Sequence, residues 1–281
     1  MSVTWGEPAV ALSDIVHIGQ QMLPLGTGVT VQYVAQGDPG GIPLVFVHGL
    51  SDSWRSFAPV LDLLPAQQPA LSLSQRGHGE STWPRSGYGA HDFAADLVAF
   101  CNALRIPRAI LVGHSLGSWV VQRFAIDYPE RVAGIVLVGA NASWQGNPVV
   151  TDIWDSVVAH LSDPVDPAFV RTFQHSERVP ADRLEMMIAE SLPVPARVWQ
   201  QVGRAMLATD IAAELTRITA PALVIWGAED PICGAQEQAR LCQLLPQAEL
   251  LAYPDAGHNL HWEHPERFTA DVCEFVQRVR H

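Results

Sequence analysis

The sequence predicts an α/β fold: a mostly parallel, doubly wound sheet with a block of helices inserted between two of its strands. Three observations carry this. Short apolar runs of strand length alternate with amphipathic stretches, the pattern of parallel strands joined by crossover helices on both faces. The strand pattern stops at Ala142, gives way to helical stretches broken by Pro148, Pro164, Pro167, Pro180, Pro193 and Pro195, and resumes at Ala222. The pentapeptide Gly113-His114-Ser115-Leu116-Gly117 directly follows Ala109-Ile110-Leu111-Val112 and precedes helix-compatible sequence from Ser118-Trp119. It marks a sharp strand-to-helix turn.

In chain order, Val31–Ala35 reads as a strand ending in the turn Gly37-Asp38-Pro39-Gly40, and Pro43–Val47 reads as a buried strand running into His48-Gly49-Leu50-Ser51. Trp54–Leu64 and His91–Leu104 read as helices, Ile135–Val138 as a further buried strand closed by Gly139-Ala140-Asn141. After the helical stretch come the strand candidates Ala222–Trp226 and Glu249–Tyr253, with a terminal helix starting near Pro265. The expected division is a sheet-bearing core of residues 1–141 and 217–281, and a helical cap of residues 142–216. Of the apolar cap residues Trp144, Trp154, Phe169, Phe173, Met186, Met187, Trp199 and Met206, most fill the cap's own core and a minority line a pocket over Ser115.

The chemistry is legible in the loops that follow strands. A turn that holds Ser115 at its tip needs small residues two positions either side, so that strand and helix backbones pass closely; Gly113 and Gly117 stand there. A serine hydroxyl becomes a nucleophile when a base takes its proton, and that base needs an orienting acid. Asp230 follows the run 222–226 in Gly227-Ala228-Glu229-Asp230-Pro231, and His258 follows 249–253 in Pro254-Asp255-Ala256-Gly257-His258. The backbone N–H groups of Leu50 and Leu116 are candidate donors to a developing oxyanion. Glu229 competes with Asp230 for the acid. His258, His261 and His264 recur every third residue and invite a metal-site reading, but no cysteine pair or carboxylate signature accompanies them. His48 and His78 read as structural, holding loop backbone; His114 lines the pocket floor or packs.

The chain resembles the α/β-hydrolase superfamily over nearly its whole length. His48-Gly49, Arg76-Gly77-His78-Gly79, the serine turn, the Gly227–Asp230 loop and the Gly257-His258 loop appear in that family's order. One departure is Ser74, where the family often has aspartate. The resemblance implies a triad of Ser115, Asp230 and His258 beneath a helical cap, acting without cofactor or metal on a small to medium ester or lactone. Ser115 stands where epoxide hydrolases and haloalkane dehalogenases of the superfamily carry aspartate. Leu50-Ser51-Asp52 replaces the glycine or proline that carbon–carbon bond hydrolases and proline iminopeptidases carry, and Leu50 replaces an aromatic common in perhydrolases. A slow-turnover ligand receptor of the same fold, a perhydrolase or a thioesterase are the alternatives.

The composition excludes other classes. With a net charge of −12 and a pI near 5.3, non-specific binding to nucleic acid or to acidic membranes is not expected. The 17 basic residues include no lysine, which removes Schiff-base chemistry. Cys101, Cys233, Cys242 and Cys273 lack Cys-x-x-Cys spacing and read as free thiols, Cys233 standing near the candidate acid. Residues 1–20 show no signal-peptide pattern, and the expected location is cytoplasmic.

Overall fold

A computed structural model describes residues 17–280; residues 1–16, where the sequence shows no leader pattern, lie outside the described residues. Eight strands, β1 (His17–Pro24), β2 (Thr30–Gln36), β3 (Leu44–Val47), β4 (Ala70–Leu73), β5 (Ala109–His114), β6 (Val132–Val138), β7 (Ala222–Gly227) and β8 (Ala248–Tyr253), form one sheet in the order β1-β2-β4-β3-β5-β6-β7-β8. From β4 onward every pairing is parallel; β1–β2 and β2–β4 are antiparallel. The helices are α1 (Ala58–Leu63), α2 (Ala90–Ala103), α3 (Leu116–Asp127), α4 (Pro148–Ser156), α5 (Pro167–Gln174), α6 (Ala181–Ser191), α7 (Ala196–Ala208), α8 (Ala235–Leu244), α9 (Leu260–Glu263) and α10 (Pro265–Arg280).

Alternate residues of the central strands enter two separate cores, which is why the runs are apolar throughout. In β3, Val45 and Val47 join one core, which includes Phe100 of α2 and Val121 of α3. Leu44 and Phe46 join the other, with Val60 of α1 and Phe268, Val272 and Phe275 of α10. The same alternation sends Leu111 one way and Ile110 and Val112 the other. A sheet so covered exposes its C-terminal strand ends as the place where loops can gather a site.

Between β6 and β7 the chain makes no strand and builds α4 to α7, the helical insertion expected from the sequence. Within it the Phe173 and Trp199 rings meet edge-to-face at 4.8 Å, and Phe169 and Trp199 at 5.3 Å, whereas Met186 and Met187 cluster with Trp262 of α9. Two strands escaped the sequence reading. β1 carries Gln20-Gln21 on the sheet edge and is mostly exposed beyond residue 18, and β4 is only four residues long with a serine in it. Trp54–Leu64 divides into a 3-10 turn at Trp54–Phe57 and α1, because Ser53 caps the turn and Pro59 starts the helix. Ser74 closes the turn after β4 by donating to Gln32 Oε1 at 2.8 Å and accepting from Trp54 N–H at 3.1 Å, a structural use of its position. Among the described residues, no helix is long and apolar enough to cross a membrane.

Candidate active site

The serine turn is built by close approaches that only glycine permits. A Cβ on Gly113 would lie 2.4 Å from the Gly117 carbonyl oxygen, and one on Gly117 would lie 2.0 Å from that of Val47. With both absent, α3 starts against the ends of β3 and β5, and Ser115 is held at φ 51°, ψ −113°. A left-handed φ is costly for a side-chain-bearing residue and persists where surrounding structure over-determines it. Here Ser115 N–H donates to Val138 O at 2.9 Å, pinning the turn to β6. Leu116 is the first residue of α3, so its N–H has no acceptor within the helix. Leu50 lies in the loop leaving β3, followed by Ser51 at φ 67°.

The loops carrying Asp230 and His258 are brought together at Gly227. A Cβ there would lie 2.2 Å from Gly257 O and 2.4 Å from Ala256 O, and Glu229 N–H donates to Ala256 O at 3.0 Å. Asp230, 7% exposed, points inward. Its Oδ1 accepts from the N–H groups of Ile232 and Cys233 at 2.8 and 3.1 Å, and its Oδ2 lies 2.7 Å from His258 Nδ1. Glu229 instead faces outward and pairs with Arg178. Of the two carboxylates weighed in the sequence, Asp230 is the one beside His258.

The His258 ring abuts the same turn as Ser115. A Cβ on Gly139, the residue after Val138, would meet His258 Cε1 at 2.8 Å, and His114 Nε2 donates to His258 O at 3.0 Å. Burial pulls the His258 imidazole down, but the Asp230 charge and hydrogen bond, with Asp52 and Glu263, more than offset it and leave it above its ordinary value of 6.5. Burial likewise pushes Asp230 up, and the His258 charge and hydrogen bonds bring it below the usual 3.8. With Nδ1 committed to the carboxylate, Nε2 is the nitrogen left to exchange a proton.

The neighbouring histidines each hold backbone or a buried hydroxyl through one or both ring nitrogens. His48 Nε2 accepts from Gln75 N–H at 2.9 Å, so its Nδ1–H donates to Gly49 O at 2.7 Å; His78 Nδ1 meets Arg76 O at 2.8 Å. His261 is fully buried with Nε2 on Ser56 Oγ at 3.1 Å, and His264 Nε2 meets Asp255 O at 3.3 Å. The three-residue spacing therefore does not converge on one point. Potential metal-ligand atoms do gather at Asp230, Cys233 and His258, all within 4.8 Å of one another, but the histidine nitrogen and the carboxylate there already bind each other. Cys233 is fully buried and its thiol is pushed up well above 9 by burial and the Asp230 charge, so it is no nucleophile.

Segment 174–191 of the insertion contacts the loops around Asp230 and His258 and the 3-10 turn at Trp54–Phe57. Ser176 Oγ donates to Glu263 Oε1 at 3.0 Å, Arg178 pairs with Glu229 of the acid loop, and Arg55 Nε pairs with Glu190 at 3.2 Å. The sequence did not signal Asp52, Gln174 or Ser191 as part of this arrangement. They are polar residues in distant segments, and only the fold brings them together.

Residues 42–265 match the family described as alpha/beta hydrolase fold. The chain is 30% identical to a 2-hydroxy-6-oxononadienedioate/2-hydroxy-6-oxononatrienedioate hydrolase of Burkholderia vietnamiensis, over 90% of this chain and 93% of that protein. It is 28% identical to a non-heme chloroperoxidase of Streptomyces lividans, over 89% of this chain and 97% of the other. The enol-lactonase of Burkholderia xenovorans superposes with a TM-score of 0.77 at 22% identity, covering 92% of this chain and all of that one, a likeness of fold. Motif order, sheet topology and sequence similarity agree: this chain belongs to the alpha/beta hydrolase fold family and is a hydrolase of that family.

Proposed function

We propose that the protein is a serine hydrolase that cleaves a carboxylic ester or lactone of small to medium size through an acyl-enzyme on Ser115. The observation that carries the reading is the 2.7 Å pair of His258 Nδ1 and Asp230 Oδ2, set against the β6 end to which the Ser115 turn is bonded. His258 Nε2 takes the Ser115 proton as Oγ attacks the carbonyl carbon, and Asp230 fixes the tautomer and stabilises the resulting imidazolium. The N–H groups of Leu50 and Leu116 receive the oxyanion. The alcohol departs with the proton from His258; water, deprotonated by the same nitrogen, then releases the acid and restores Ser115. For a lactone, alcohol and acid leave as one hydroxy acid.

Residues 142–216 act in this reading as a cap that closes the pocket, supported by the contacts of segment 174–191 with the acid and base loops. The fold family hosts varied chemistry, so the bond cleaved is argued from the serine site and not from any relative's substrate. Steady-state hydrolysis of p-nitrophenyl esters of increasing acyl length tests the reading. Multiple turnovers by the wild type, lost in Ser115→Ala, are the expected result, and the preferred length sizes the pocket. A single slow turnover by the wild type would favour a ligand receptor. Turnover retained in Ser115→Ala would exclude the acyl-enzyme.

A further inference from the structure

The insertion meets the sheet through a buried polar cluster beside the base. Gln174, the last residue of α5, is 2% exposed. Its Nε2 lies 2.9 Å from Asp52 Oδ1, 2.6 Å from Ser191 Oγ and 3.2 Å from Ser51 Oγ. Asp52 follows the candidate oxyanion donor Leu50 by two residues and is itself 2% exposed. Its Oδ2 accepts from Ser56 Oγ at 3.0 Å and lies close to Gly49, where a Cβ would stand 3.2 Å away.

Every donor that reaches this carboxylate is neutral. Among the described residues it has no arginine partner, and a buried carboxylate without a cation is expensive. The neighbouring imidazoles do not supply the charge. Ser56 spends its one proton on Asp52, so its Oγ accepts from His261 Nε2–H, which leaves His261 Nδ1 as a bare acceptor. His114 gives its Nε2–H to His258 O, which likewise leaves His114 Nδ1 bare. Both Nδ1 atoms are buried with no partner among the described residues, and burial holds both rings well below 6.5, hence neutral.

The charged partner nearest to Asp52 is reached across the His114 ring: a Cβ on Gly49 would lie 3.2 Å from Asp52 Oδ2 and 2.8 Å from His114 Nδ1, and the His114 ring centroid stands 5.0 Å from that of His258. With neutral groups between them, each of Asp52 and His258 favours the charged form of the other. The other carboxylates acting on the same imidazole are Asp230 and Glu263. We propose that Asp52 is a positioning residue for His258: a second carboxylate, secured by the Gln174 amide of the insertion, whose charge stabilises the imidazolium formed when Ser115 gives up its proton. The helical insertion then contributes to the chemistry through Gln174, in addition to covering the site. This rests on the reading of His258 as the base.

The test is the pH dependence of kcat/KM and kcat for p-nitrophenyl acetate in wild type, Asp52→Asn, Gln174→Ala and Ser115→Ala, each checked for a cooperative thermal transition. Removing the carboxylate charge makes the imidazolium harder to form. Asp52→Asn is therefore expected to move the acid limb to lower pH and to lower kcat. Gln174→Ala, which strips the carboxylate of a donor and favours its neutral form, shifts the limb the same way by less.

A folded Asp52→Asn with slower turnover but an unmoved limb is merely a structural lesion and overturns the proposal. If Asp52→Asn fails to fold, an unmoved limb in Gln174→Ala overturns it instead. Ser115→Ala separates the two readings. Activity retained in that variant removes the serine-hydrolase reading itself, whereas activity lost there with an unmoved limb in Asp52→Asn removes only the role of Asp52.

Discussion

Gly227 and Gly257 pass so closely that a Cβ on Gly227 would lie 2.2 Å from the carbonyl oxygen of Gly257. This contact joins the loop carrying Asp230 to the loop carrying His258, whose own separation is 2.7 Å. The obstacle is backbone and not the end of a flexible side chain, so it cannot be relieved by a rotamer change. Gly227→Ala is therefore expected to force the two loops apart at a cost of about 1–3 kcal/mol of stability. A shift of about 1 Å between acid and base costs roughly 100-fold in rate. Denaturant unfolding and kcat/KM of this variant check both; wild-type activity would show that the loops are positioned by something else.

The state of His258 sets the expected pH dependence of activity. In the proposed mechanism His258 must be neutral to accept the Ser115 proton, and burial offset by Asp230 leaves this imidazole raised above 6.5. Activity should therefore rise with pH through a midpoint above 6.5 and fall away in acid. Asp230→Asn removes the charge most responsible for the rise, and its remaining activity should titrate at lower pH, with a loss in kcat of about 10⁴-fold, the effect seen when a triad acid is so changed. A kcat/KM profile from pH 5 to 9 decides this.

Acid stability follows from the buried neutral histidines. His48, His114 and His261 are held well below 6.5 by burial, and His78 is lowered to about 4. Below about 6.5 the unfolded chain binds protons that these four groups refuse in the fold, so their contribution to stability is lost as pH falls. Two groups oppose the trend. Asp52, raised by burial to about 6, and the raised His258 bind protons more readily folded than unfolded, which favours the fold on the acid side of their windows. Four against two leaves a net fall, and Tm measured at pH 7, 6 and 5 should decrease in that order.

The turn Arg76–Gly79 is anchored by a buried ion pair. Arg76 donates through Nε and Nη2 to both oxygens of Asp96 at 2.6 and 2.7 Å, with Thr27 Oγ1 adding a third bond at 2.6 Å. Asp96→Ala leaves the guanidinium, in a side chain only 8% exposed, with only the longer 4.0 Å contact to Asp92 as its carboxylate partner, and breaking such a pair costs about 3–5 kcal/mol. Replacing both partners with apolar residues is expected to cost less than removing either alone. A double-mutant cycle in urea measures the difference.

The parts of the fold that read directly from sequence are those where local chemistry and tertiary environment agree. β3, β5, β6 and β7 are covered on both faces, so their runs are free of polar residues up to His114 at the end of β5. The turn at Ser115 and the loops of Asp230 and His258 were legible because glycine and proline mark them. β1 was not, because an edge strand can carry Gln20 and Gln21 as readily as a loop can. His261 could not be told from a ligand by spacing, since its role depends on Ser56, 205 residues away. The Asp52–Gln174 contact spans 122 residues and leaves no periodic trace.

The most direct test of the central claim is the intact mass of the protein after reaction with a fluorophosphonate, followed by peptide mapping. An activated serine beside an imidazole displaces fluoride and gains one phosphonyl group. The account predicts a single adduct on Ser115, absent in Ser115→Ala and strongly slowed in His258→Ala. An unmodified wild type, or an adduct on any other residue, would contradict it.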